Sequence, residues 1–127
     1  MNQVNVLDVL LVAGILSVLD GTFIYFMKNR FVKQIEKTTG TPIVVRFSAV
    51  VACYIILTFG VYYFVIYKNL SLFDSGLMGF TIYGIFETTN LAIFAHWNIV
   101  NAVIDSIWGG VLFVLTKLVF MQLKTIL

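Results

Sequence analysis

Three carboxylates, Asp20, Glu87 and Asp105, stand inside stretches otherwise built from valine, isoleucine, leucine and phenylalanine. A carboxyl group in apolar surroundings can pass a proton, balance a cation, or tie one segment to another by hydrogen bonds. The spacing says these three can act together. Glu87 and Asp105 lie nine residues to either side of His96. If AHWN is a tight turn between two helices, both carboxyls sit about 13 Å from it and face each other at one depth. Asp20 precedes Lys28 by eight residues, which brings a third acid to a similar level.

Periodicity extends the set. Tyr83, Glu87 and Asn90 follow a four-three rhythm, and Asn98, Asn101, Asp105 and Trp108 a three-four-three rhythm, so each group forms one stripe along a helix. An ionised Asp at the centre of a lipid-facing helix costs about 2.5 to 3.5 kcal/mol on insertion scales, so both stripes are expected to face inward. Thr88 and Thr89 would add hydroxyls. Arg46 is the cation expected to reach toward this layer. One cation cannot neutralise three acids, and at least one carboxyl is expected to be protonated at neutral pH. The layer is then either a proton or cation site, or an interhelical hydrogen-bond network.

Other chemistries lack their residues. No nucleophile and base pair, phosphate-cradling glycine loop or zinc-ligand spacing occurs, so no catalytic residue, metal or cofactor is assigned and an enzyme is disfavoured. His96 has no second ligand at metal spacing. A net charge of +2 without a recognition motif argues against nucleic-acid binding.

The elements that would position these residues follow from composition. Of 127 residues, 61% are hydrophobic and 11% charged, against about a quarter charged in an ordinary soluble domain. Mean hydropathy is +1.01. Four apolar runs fill the chain, and strict alternation is absent, so the reading is all-α: one domain, residues 1–127, an integral membrane bundle of four transmembrane helices. The helices are placed at about 6–27, 43–67, 75–94 and 99–118 or beyond, with a basic loop over 28–42. Phe31, Val32 and Ile35 alternate with basic residues there, which suits the first helix continuing along the headgroup region. MNQVNVLDVLLV lacks the basic start of a cleavable signal, so the first helix is expected to be retained.

Small residues recur every four positions at Ala13, Ser17 and Gly21 and again at Ala102, Ser106 and Gly110, a pattern that lets helices approach closely. Five of the eight basic residues, Lys28, Arg30, Lys33 and Lys37 in the loop and Arg46 at the start of the second helix, gather at the first break. The positive-inside rule puts that segment in the cytoplasm. There Lys28, Arg30, Lys33 and Lys37 are candidates to touch anionic lipid or a protein partner.

The segment YGIFETTNLAIFAHWNIVNAVIDSIWGG resembles an uncharacterised family of small predicted membrane proteins with four spans, a domain of unknown function found in bacteria and in some large DNA viruses. The matching positions are Tyr83, Gly84, Glu87, Asn90, Leu91, Ala92, Trp97, Asp105, Trp108 and Gly109, with Asp20 and Pro42 resembling further ones. Phe86 and Glu87 stand where the family more often has Tyr-Asp. The resemblance implies a fold and a shared polar layer but no reaction. It also implies a setting, a bacterial inner membrane or a host-derived or virion inner membrane. A structural or assembly role is expected, with the protein anchoring a membrane to a coat such as a capsid shell. Its partners would be the lipid bilayer and other protein subunits, as a homo-oligomer or with a coat protein. The alternative is a small oligomeric translocator of protons, cations or a solute.

Overall fold

A computed structural model describes residues 3–127. The chain is all-α, with four helices: α1 (Val6–Thr39), α2 (Phe47–Gly60), α3 (Leu72–Ile93) and α4 (Ile99–Ile126). α2 runs on into a π-helical segment, Val61–Tyr67.

α1 is longer than the apolar pattern alone suggests. Residues 28–42 were read as a basic loop into which the first helix continues, and the helix runs on to Thr39, because the basic stretch contains neither glycine nor proline until Gly40 and Pro42. Gly40 then adopts φ 74° and its N–H returns to the Glu36 carbonyl, a left-handed cap that glycine enters without a Cβ penalty. At about 51 Å, α1 exceeds a hydrocarbon core of about 30 Å. Its last third, carrying Lys28, Arg30, Lys33 and Lys37, extends the apolar part as a charged helical arm.

Side-chain caps set the other starts. Asn5 accepts from the Asp8 N–H, Ser71 from the Asp74 N–H, and Asn98 from the Asn101 N–H, each supplying an acceptor to one of the first-turn donors a helix leaves open. α2 begins at Phe47, four residues later than the hydropathy boundary, with Arg46 as its N-cap and no side-chain cap bond.

Three segments, Val6–Thr39, Phe47–Tyr67 and Ile99–Ile126, are long and apolar enough to cross a membrane. α3 has the length, but Asp74, Ser75, Thr81, Glu87, Thr88, Thr89 and Asn90 dilute its apolar character, so the expected set of four such helices becomes three. α3 gains its place by packing along α4 instead. The two run antiparallel with glycines in register: a Cβ added at Gly76 or Gly110 would meet the other helix, and Gly79 and Gly109 are in backbone contact.

α4 also packs on α1 and on the π segment, and α1 on α2. One half of the bundle is a dry apolar core of Val12, Ile15, Leu16, Val61, Tyr62, Val65, Leu112, Phe113 and Phe120. The Asn5 N–H donates to the Tyr62 hydroxyl at 3.1 Å, fixing the start of α1 to the π segment. Outside the core, large apolar side chains such as Phe26, Val44, Phe47 and Phe73 are three-quarters or more exposed. In water that belt would be an aggregation surface, and in a bilayer it faces acyl chains.

Candidate functional site: a buried acid layer

The three acids from three helices converge. Asp20 (8% exposed) comes from α1, Glu87 (4% exposed) from α3, and Asp105, half-buried, from α4. With Tyr83, Phe86 and Trp97 they line a cavity of about 230 Å³. The register of the α3–α4 hairpin produces the meeting. Gly76 opposite Gly110, Gly79 opposite Gly109 and Gly84 beside Ser106 lead, one step further, to Glu87 and Asp105, which line the same cavity.

Neutral donors, not cations, hold Asp20 and Glu87. The Trp108 indole N–H donates to Asp20 Oδ1 at 2.9 Å, and the Tyr54 hydroxyl donates to Asp20 Oδ2. The Trp97 indole N–H donates to Glu87 Oε1 at 2.8 Å. Trp108 is itself stacked on Phe23, with ring centroids 4.5 Å apart and planes 3° from parallel, which holds its N–H on Asp20. Asp20 thus bridges α1 to α2 and α4, while Glu87 ties α3 to the turn before α4.

A second polar cluster lies about one turn closer to the basic end. Asn101 (3% exposed) accepts from Arg30 Nε at 2.8 Å and donates to the Arg30 carbonyl at 3.3 Å. Gln34 (6% exposed) accepts from the Asn98 N–H at 2.8 Å and from the Asn101 amide at 3.5 Å. Asn101 therefore joins the arm of α1 to the start of α4 and does not touch the acids. The cation expected from sequence, Arg46, is exposed at the N-cap of α2. Arg30, itself exposed, reaches the buried Asn101 in its stead, because the continuous α1 presents positions 30 and 34 on one face.

Other expected residues are placed as follows. Asn90 is half-buried on α3, three residues past Glu87. Thr88 and Thr89 are exposed, and the Thr88 hydroxyl bonds back to the Gly84 carbonyl at 2.7 Å. Ala102 and Ser106 are buried and Gly110 meets Gly76, so this stripe lies on the α3–α4 seam. The other stripe does not lie on a seam: Ser17 and Gly21 are exposed, Ala13 is half-buried, and a Cβ at Gly21 would meet nothing within 4 Å. α1 packs through Val12, Ile15 and Leu16, whose larger side chains hold its neighbours further off. Lys28 sits over the Tyr25 ring at 5.1 Å, while Lys33 and Lys37 are exposed on the arm.

Sequence reasoning missed Tyr54, Gln34 and Lys117. The i, i+4 spacing of Arg30 and Gln34 was a signal for one of them. Lys117 is 7% exposed, with its ammonium on Asn69 Oδ1 at 2.9 Å and on the Leu70 carbonyl. It thereby supports the connection in which Asn69 adopts φ 55°. No group of three or more His, Cys, Asp or Glu able to hold a metal occurs among the described residues.

Apolar helices long enough to cross a bilayer, packed around a buried carboxylate layer, define an α-helical integral membrane protein. Residues 5–121 match the model of the family described as Predicted membrane protein (DUF2177), and the chain belongs to that family. No curated protein and no solved structure matches it.

Proposed function

We propose that this protein is a structural component of its membrane, a scaffold that attaches neighbouring subunits or a protein coat to the bilayer. The observation that carries this reading is the commitment of the acids to their own fold. Both oxygens of Asp20 accept from other helices, and Glu87 Oε1 accepts from the Trp97 indole. The apolar core of Val12, Leu16, Val61, Val65, Leu112 and Phe113 packs the opposite half of the bundle. By the positive-inside rule the arm of α1 lies on the cytoplasmic side, where Lys28, Arg30, Lys33 and Lys37 are the contact residues.

A lysine-reactive cross-linking map from native membranes tests this. Capture of protein subunits through Lys28 to Lys37 is expected, and an arm that captures lipid alone refutes the reading.

The second reading, an oligomeric proton, cation or solute translocator, is favoured by the cavity that Asp20, Glu87 and Asp105 share. It requires flux in reconstituted liposomes that Glu87→Gln or Asp105→Asn abolishes while the variants remain folded. The structural reading expects flux no greater than that of protein-free liposomes, together with impaired assembly of the same variants.

A further inference from the structure

Between the arm of α1 and the turn that starts α4 lies a cationic cavity of about 620 Å³. Arg30, Lys33 and Lys37 line one wall and His96 the other, over a floor that includes Gln34 and Asn101. No carboxylate lines it. We propose that this cavity binds the phosphate headgroup of an anionic phospholipid.

Three features select that ligand. First, the floor is rigid where it holds the cation: Asn101 accepts from Arg30 Nε, which uses one of five guanidinium donors and fixes the plane of the rest. A guanidinium so fixed presents a fork to a phosphate. Second, α4 begins here, with Asn98 capping the Asn101 N–H, so the positive end of a 28-residue helix dipole adds to the side-chain charge. Third, exposed Phe94, Ile99 and Val100 lie at the turn and the start of α4, an apolar surface for the acyl chains that a headgroup brings and a free ion lacks. Basic pockets between helices near a membrane surface are sites of this chemistry. The inference does not depend on the structural reading above, since a scaffold and a translocator would both hold the lipid.

The test is native mass spectrometry of the full chain in detergent, titrated with phosphatidylglycerol or with phosphatidylcholine of matched acyl chains. Retention of phosphatidylglycerol over phosphatidylcholine is expected. Lys33→Gln with Lys37→Gln leaves the floor intact and should weaken that preference roughly thirtyfold, at about one kcal/mol per basic residue. Arg46→Gln with Lys68→Gln removes the same charge outside the cavity and should change it less than about threefold. Arg30→Gln, checked by thermal melting for a retained fold, should also lose the preference. Equal loss in the two double variants would mean diffuse charge and overturn the site. Binding of inorganic phosphate with no preference between the lipids would overturn the lipid as its ligand, and so would the absence of any preference in the wild type.

Discussion

Substituting Gly79 with alanine should separate α3 from α4 and disturb the acid layer from a distance. A Cβ at Gly79 would lie 2.7 Å from the Gly109 carbonyl carbon and 2.8 Å from Phe113 Cγ, where carbon contacts are comfortable at about 3.5 to 4.0 Å. The shortfall is about 1 Å, and neither neighbour can yield easily: one is helix backbone, and the other is a ring 2% exposed in the core. The helices must therefore part. Overpacking of this kind costs about 1 to 3 kcal/mol, against which alanine recovers up to about 1 kcal/mol of helix propensity. The expected net loss is about 1 to 2 kcal/mol. Gly14→Ala is the matched control, since a Cβ there meets nothing within 4 Å and should be neutral or mildly stabilising. Reversible unfolding in mixed micelles, followed by the fluorescence of Trp97 and Trp108, reads both the stability and the layer those indoles hold. If Gly79→Ala proves as stable as Gly14→Ala, with unchanged indole emission, the close seam and the register argument built on it are wrong.

Three further outcomes follow from the same geometry. Tyr54→Phe and Trp108→Phe each remove one donor from Asp20 and should each cost about 0.6 kcal/mol and no more than about 1.7 in the same unfolding assay, with Trp97 emission retained. Lys117→Met strips the ammonium from Asn69 and the Leu70 carbonyl, so hydrogen exchange of amides 69–71 should accelerate at least tenfold while the α3–α4 seam stays protected. Asp8 and Lys124 form an ion pair at 2.8 Å with side chains 18% and 45% exposed, and Lys124→Gln should shift stability by less than about 1 kcal/mol, the effect shrinking as salt is added.

Much of the acid layer was legible before any coordinates. The symmetry of Glu87 and Asp105 about His96 needs only a turn and two helices of constant rise, and a fixed rise is a local property. The stripes that carry them were legible for the same reason. The boundary of the first helix at residue 27 followed hydropathy, which marks where lipid would stop, whereas helix continuation depends on backbone breakers, and the first of these is Gly40. Arg46 was expected inside because it begins the second helix on the basic side, yet it is exposed at the N-cap.

By itself, then, the sequence determined an all-helical membrane chain, the depth of its three acids, and a concentration of positive charge at one end, since hydropathy, helical rise and formal charge are properties of short segments. Which groups those acids bind was decided only in three dimensions. Tyr54, Trp97 and Trp108 reach their carboxylates across helix interfaces, Arg30 and not Arg46 meets Asn101, and of two similar small-residue stripes one seats a helix while the other faces outward. Packing made those choices, because a donor's partner and a glycine's neighbour depend on crossing geometry and rotation about each axis, which no local pattern fixes.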